Sequence, residues 1–286
     1  MRLLLLFGLV SFTFTLQAQC VSGNCKNGNG SWKYRNGDRY MGEWENGERH
    51  GFGTYKLRNG DFYQGEWADN RKHGYGSYVY KNGDTYKGDW ENDHMNGRGL
   101  FEYRNGDIFE GNFVQGKMTG YGEYRFADGS VYKGNWKNDL QSGEGILTEL
   151  NGTKIAGMWI AGKVNGEARY VYENGDVYTG EFAKGERHGH GKMQYTSGNT
   201  YEGNWQMGQK HGQGNMYYVN GDIYEGNWVM GKKQGTGSYQ YGMGGEYVGD
   251  WLQDLRHGKG QMTHQDGRVF KGEFRRGLPI KQSSRN

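Results

Sequence analysis

Proline, cysteine and net charge are all scarce in this chain. Pro279 is the single proline among 286 residues, Cys20 and Cys25 are the only cysteines, and 35 basic residues against 32 acidic ones leave a formal charge of +3. So even a balance gives bulk electrostatics no hold on nucleic acid, and any charge argument has to be local. The two cysteines can close one small loop in an oxidising compartment, stapling the N-terminal edge. Cys20 is alternatively a lipid attachment site, although Gln19 stands where such signals take a small residue. Long apolar runs are confined to the N-terminus. Arg2, the stretch Leu3 to Leu16 and the sequence Leu16, Gln17, Ala18 read as a secretory signal over residues 1–18, shorter than the ~20 apolar residues that span a bilayer. No second run follows. The processed chain is therefore expected to be soluble or peripherally attached, and secreted, periplasmic or held at the cell envelope.

What the chain has in abundance is glycine, 54 residues, together with 15% aromatics. Glycine at that level without rings would suggest a flexible tract, whereas rings need burial and therefore a fold. A repeat resolves the combination. Taking Tyr40 as the first position of a 23-residue unit, the same phase returns at Tyr63, Tyr86, Phe109, Tyr132, Ile155, Tyr178, Tyr201, Tyr224, Tyr247 and Phe270, with no residue gained or lost. Two residues on stands glycine every time, from Gly42 to Gly272, and two further on an aromatic, from Trp44 to Phe274. Aromatic, glycine, aromatic at spacing two is a strand with one buried face, from which Glu43, Glu66 and Asp89 point away. The missing Cβ of the central glycine leaves a slot for a ring.

The eighth position holds only glycine, asparagine or aspartate (Gly47, Asn70, Asp93 and their equivalents), the residues that best tolerate positive φ, which marks a turn. Gly-x-Gly follows, as in Gly51 and Gly53, broken only by Ala168. A second alternating strand carries Tyr55 and Leu57, Tyr78 and Tyr80, Tyr170 and Tyr172; Asn59-Gly60, Asn82-Gly83 and their equivalents then give a hairpin signal that returns the chain to the next unit. The expected fold is all-β: an elongated, solenoid-like, single-layer meander of stacked 23-residue hairpins, ten full units over residues 40–269 extending about 100 Å. Residues 19–39 form an N-terminal cap with half a repeat, residues 270–280 a truncated cap ending at Pro279, whose missing amide donor suits an edge, and residues 281–286 a disordered tail.

Tyr-x-Gly-x-Trp followed by Gly-x-x-x-Gly-x-Gly, as from Tyr201 to Gly214, resembles the MORN (membrane occupation and recognition nexus) repeat, over residues 28–278. The resemblance implies elongated hairpin arrays, a non-catalytic scaffolding or tethering role, an association with phospholipids, and end-to-end dimers. The sixth unit departs from the pattern at Ile155 and Ala168.

Catalytic and cofactor chemistry finds no foothold in the repeat. Gly111–Lys117, Gly157–Lys163 and Gly226–Lys232 read Gly-x-x-x-x-Gly-Lys, but Met118, Val164 and Lys233 stand where a phosphate loop needs Ser or Thr, with no helix to follow. His50, His73, His188, His211 and His257 share one repeat position, which sets them about 10 Å apart, too far for ligands of one metal ion. The recurring carboxylates have no enclosure to raise their pKa. The expectation is a protein that is not an enzyme and needs no cofactor. Two surfaces remain. Arg49, Arg71, Lys72, Lys117, Lys163, Arg187, Lys210, Lys232, Lys233 and Arg256 fall at the first turn and would line one long edge, a candidate site for anionic phospholipid or polysaccharide. Rows of rings offer a surface for a protein partner, although packing consumes most of them; Met41, Val79 and Tyr217 fall singly on the polar face. The leading expectation is a binding or scaffold protein facing a protein partner in the envelope or outside the cell, with peripheral anionic-ligand binding as the alternative and no nucleic acid.

Overall fold

A computed structural model describes residues 17–280; most of the secretory-signal reading and the C-terminal tail lie outside the described residues. The described residues form 24 β-strands and no helix. The chain divides into two compact units, residues 1–117 and 118–286. Within each, every strand pairs antiparallel with its chain neighbours in a single layer of stacked hairpins.

The first unit opens with the paired strands β1 (Gln19–Gly23) and β2 (Gly28–Lys33), and a disulfide ties Cys20 of β1 to Cys25 in the loop between them, with Cα atoms 6.0 Å apart. β3 (Arg39–Glu45) and β4 (Glu48–Lys56) make the first full repeat, and the pattern recurs at 23-residue intervals. The second unit runs from Lys117–Arg125 to Leu278–Pro279, where Pro279 pairs with Phe274 on a two-residue edge strand.

Each repeat contains two different turns. Asn46 (φ 53°) and Gly47 (φ 84°) both adopt left-handed backbone, so β3 and β4 are joined by a two-residue type I′ turn whose twist suits the strands. The equivalent pairs include Ala161-Gly162, Lys184-Gly185, Met207-Gly208 and Met230-Gly231, so the seventh position is left-handed as well as the eighth. The Asn-Gly dipeptides sit in the other turn. There Gly60 N–H donates to Leu57 O at 3.1 Å and only Gly60 of the pair has positive φ (106°), a type I turn closed by a glycine bulge and not a two-residue hairpin. The reason lies two residues on. Asp61 accepts Tyr78 Oη–H and Lys81 N–H, both 2.8–2.9 Å away in the next repeat, and holds the turn open to reach them.

Left-handed backbone costs an ordinary L-residue about 1 kcal/mol and asparagine less. Met207 (φ 47°) and Met230 (φ 49°) are exposed at such positions. Met207→Asn and Met230→Asn should each stabilise the protein by about 0.5–1 kcal/mol, read as a rise in denaturant midpoint at unchanged slope.

A bulge in each first hairpin that lies within one unit sets the internal order of the repeat. Tyr40 pairs with Tyr55 and Gly42 with Gly53, after which the register slips so that Trp44 faces Arg49. The slip leaves Glu43 without a ladder partner on β4, and its polar groups on that side are used otherwise. Tyr40 Oη donates to Glu43 O at 2.8 Å, while the Glu43 carboxylate accepts Phe52 N–H at 3.0 Å. The same two bonds recur at Tyr63, Glu66 and Tyr75 and at Tyr178, Glu181 and His190. The carboxylates at this repeat position, Glu43, Glu66, Asp89, Glu181 and Asp250, are therefore bulge closures.

The glycine slot also differs from the expected one. Tyr40 lies across Gly53, the second glycine of Gly-x-Gly: a Cβ built there would stand 2.3 Å from Tyr40 Oη. Its ring meets Trp44 edge-on at 5.1 Å and Trp67 of the next repeat at 5.4 Å. Trp67 Nε1 in turn donates to Gly53 O at 3.2 Å. One glycine thus carries a ring on its Cα and an indole on its carbonyl, and rings of successive repeats interlock edge to face.

Candidate functional site

The ring face of each unit carries a second row of side chains between the two kinds of turn. In the second unit this row includes Tyr172, Tyr195, Tyr218 and Tyr241, from four consecutive repeats and all half-buried. Beside it lies a groove of about 980 Å³ whose lining includes Tyr170, Tyr172, Tyr195, Arg187, Lys210 and Asp176. In the first unit a smaller groove of about 190 Å³ includes Arg49, Tyr55, Trp67, Lys72, Tyr78 and Asp93.

The ten cations expected along one edge separate into two groups. Arg71, Lys117, Lys163 and Lys232 are exposed at the type I′ turns. Arg49, Lys72, Arg187, Lys210, Lys233 and Arg256 instead sit one residue further along, where strand alternation turns them onto the rings. Arg49 Cζ lies 4.3 Å from the centroid of Trp67, Lys72 Nζ 4.4 Å from Trp90, Arg187 Cζ 4.3 Å from Trp205 and Lys210 Nζ 4.4 Å from Trp228. Lys233 Nζ is 4.9 Å from Trp251, and Arg256 Cζ is 5.7 Å from Phe274. Position-by-position reading had joined two positions of opposite orientation into one edge. The middle repeats hold Met95, Met118, Gln141 and Val164 at the inward position.

Arginine and lysine use this cradle differently. Arg187 and Arg256 reach past the rings to donate to Gly208 O (2.6 Å) and Gly277 O (2.7 Å) of the next turn. Lys72, Lys210 and Lys233 are shorter, and none of them has a carboxylate within ion-pair distance among the described residues. Burial lowers the pKa of all three, against a raising influence of Asp93 on Lys72 and of Asp254 on Lys210 and Lys233.

The acidic residues at the Asn-Gly turns are structural. Asp176 accepts Thr196 N–H at 2.8 Å and Asn174 Nδ2–H at 3.0 Å; Asp222 accepts Gly242 N–H at 2.8 Å and Tyr239 Oη–H at 2.6 Å. The pKa of Asp176 is lowered chiefly by the backbone bond from Thr196, and that of Asp222 by its bonds from Tyr239 and Gly242 overcoming burial. Both stay ionised at neutral pH. His50 lies within β4 and not in a turn, with Nε2 3.5 Å from Glu45. The window Gly157–Lys163 runs along strand Lys154–Ile160 into a type I′ turn.

The MORN repeat model matches residues 40–62, 63–85, 86–108, 109–131, 132–153, 156–177, 178–200, 201–223, 224–246 and 247–267. The chain belongs to the MORN repeat family. The ten matches share the phase set by Tyr40, with the sixth shortened at its start around Ile155. No curated protein sequence matches this MORN protein. Among solved structures it is similar to the SAS-4 TCP domain of Drosophila melanogaster in complex with a proline-rich motif of Ana2, at 14% identity and a TM-score of 0.37, covering 63% of this chain and 97% of that one. The TCP10 domain of Danio rerio CPAP is comparable at 13% identity and a TM-score of 0.38, covering 68% and 92%. So is a CPAP G-box domain, at 13% and 0.38, covering 71% and 100%.

Proposed function

We propose that this MORN protein is a non-catalytic scaffold of the envelope or extracellular space that presents the ring face of its second unit to a protein partner. The groove beside Tyr172 and Tyr195 carries this reading, since half-buried rings, the Arg187 guanidinium, the Lys210 ammonium and the carboxylates of Glu149, Glu173 and Asp176 converge there in one open channel. Tyrosine with arginine is the composition that binding energy favours at protein interfaces. The titratable groups there also favour binding over chemistry. Asp176 is held ionised, burial raises the phenol of Tyr172, and neither is poised for proton transfer near neutral pH. A photo-crosslinking residue at position 195 should yield one defined protein adduct in envelope fractions, and one at Tyr217 on the polar face of the same unit none. Equal labelling from both positions, or no adduct from 195, would reject the groove as the binding face.

A second reading rests on the type I′ turns of the second unit. Ile160, Met207, Met230 and Leu278 are exposed there at 60%, 67%, 68% and 70%, beside Lys163, Lys184, Lys232, Arg275 and Arg276. Apolar turn tips interleaved with cations suit the interface of an anionic bilayer, where each cation contributes about 1 kcal/mol. The vesicle partition coefficient measured by co-sedimentation with phosphatidylserine-containing vesicles should fall at least about thirtyfold for Lys163→Glu with Lys232→Glu. Binding that ignores this charge reversal would exclude the edge.

A further inference from the structure

The proposed partner groove has a periodicity that selects among ligand backbones. Tyr172, Tyr195, Tyr218 and Tyr241 stand one repeat apart, and each is followed by an inward cation of the next hairpin: Arg187, Lys210, Lys233 and Arg256. Three of the four pairs touch or nearly touch. Arg187 Cζ is 5.8 Å from the Tyr172 ring centroid, Lys233 Nζ is 3.4 Å from Tyr218 Oη, and an Arg256 guanidinium N–H donates to Tyr241 Oη at 3.5 Å. With two strands per repeat, the row advances about 9.6 Å per pair. It runs across the strands, so a ligand lying along it meets no free strand edge and cannot add itself to the sheet by main-chain hydrogen bonds.

Three peptide conformations can be compared with that spacing. An α-helix rises only about 1.5 Å per residue, so six or seven residues would separate successive contacts. A β-strand covers the distance in about three residues, but its side chains alternate, and every second contact at that spacing would point away from the row. A polyproline II helix repeats its face every three residues with a rise of about 3.1 Å, hence about 9.3 Å per repeat, and makes no main-chain hydrogen bonds of its own. Over four pairs the mismatch accumulates to about 1 Å, within the reach of a lysine side chain. Resting on the proposed protein-partner reading, we infer that this row docks an extended, polyproline-type peptide carrying a carboxylate at every third residue.

The cations supply the charge complementarity. Lys210, which lines the groove with Tyr195, and Lys233, whose Nζ lies 3.4 Å from Tyr218 Oη, have no carboxylate within ion-pair distance among the described residues. The tyrosines present hydroxyls and edges more than faces: Tyr172 is stacked on Tyr170 at 4.2 Å and Tyr241 leans on Tyr239 at 4.8 Å. Edges and hydroxyls suit the carbonyls and pyrrolidine rings of a proline-rich segment. A pyranose needs a free ring face, which here is covered.

The test is fluorescence anisotropy of the full processed chain with a labelled peptide of four Glu-Pro-Pro triplets. Binding is expected, and it should weaken at least about tenfold in Lys210→Gln with Lys233→Gln, a factor of ten being about 1.4 kcal/mol. Glutamine already occupies the equivalent place as Gln141, and leucine the tyrosine position as Leu57, so Tyr195→Leu with Tyr218→Leu is a second variant the repeat accommodates. Both variants should melt as the parent does. Replacing Glu by Gln in the peptide, or spacing Glu at every fourth residue, should cost a similar factor. Equal affinity for the four-residue spacing, indifference to the lysine pair, or lysine-dependent binding of an acidic β-1,4-linked oligosaccharide in place of the peptide would each overturn the inference. A crosslinked protein at position 195 without triplet binding would refute the polyproline partner and leave the broader reading standing. Triplet binding without any crosslinked protein would do the reverse.

Discussion

Gly214→Ala should destabilise the protein by about 3–5 kcal/mol, whereas Gly208→Ala, six residues earlier, should cost about 1 kcal/mol. At Gly208 (φ +74°) a Cβ meets nothing within 4 Å, so only the backbone conformation resists it. At Gly214 the same methyl would stand 2.3 Å from Tyr201 Oη and 2.6 Å from Cζ. Tyr201 cannot step aside. It is fully buried, edge-on to Trp205 at 5.1 Å and Trp228 at 5.4 Å, and its hydroxyl donates to Asn204 O at 2.9 Å, the carbonyl freed by the bulge. Overpacking contributes about 1–3 kcal/mol, and the strained phenol bond and ring contacts about 1 kcal/mol each. Urea denaturation of the two variants measures the difference. A Gly214→Ala protein within 1.5 kcal/mol of the parent would show that the ring is not fixed by its neighbours.

The chain itself holds a version of this experiment. In the sixth repeat Ala168 replaces the covered glycine and Ile155 replaces the covering tyrosine, so the methyl occupies space a phenol would otherwise fill; both are buried. Two departures that looked independent in the sequence are one compensated exchange. Ile155→Tyr alone should therefore be severe and Ala168→Gly alone should open a void. The double change should be milder than the sum by about 2 kcal/mol, a coupling a double-mutant cycle measures directly.

This pair shows what the sequence could and could not convey. Strand existence, face and phase were legible because period-2 rings and invariant spacing depend on one chain segment at a time. The paired cysteines and the edge proline were legible for the same reason. What escaped was whatever depends on a residue's partner in another strand. The bulge after Gly42 leaves no composition signal, so Glu43 read as a solvated carboxylate although its side chain holds Phe52 N–H. Left-handed backbone at Met207 and Met230 was invisible because methionine does not announce it. The division of the ten cations was recoverable in principle. Arg71 and Lys72, like Lys232 and Lys233, are adjacent in a strand, and alternation alone requires one of each pair to face the rings. Nothing in the local sequence around Asp61, Asp176 and Asp222 announces their work, which is to receive amides and phenols from the following repeat.

Raising the pH above about 10 should unfold the protein in one cooperative step, by virtue of the same tyrosines. Tyr40, Tyr63, Tyr86, Tyr132, Tyr178, Tyr201, Tyr224 and Tyr247 all have pKa values raised chiefly by burial, Tyr132 and Tyr247 to about 12 and the others further. Each donates its proton to a bulge carbonyl, a bond that phenolate cannot make. Because the folded pKa lies above the unfolded value of about 10, the folded state binds more protons in that window. The contribution to stability is complete below pH 10 and is lost as pH rises towards the folded values. One proton per tyrosine corresponds to at most about 1.4 kcal/mol per pH unit; halved for partial solvent access, eight of them remove about 5 kcal/mol per unit. Lys72, Lys210 and Lys233 act in the opposite sense, since their folded pKa values are lowered and the unfolded chain binds more protons just below the ordinary lysine value. Three groups do not offset eight, and a domain stability of about 5–15 kcal/mol is exhausted within one to three units. Phenolate absorbance and near-ultraviolet circular dichroism, followed together from pH 9 upward, should change at the same pH for these residues. Smooth ionisation near pH 10 with the dichroism intact would mean that the rings of successive repeats are not locked together by their hydroxyls.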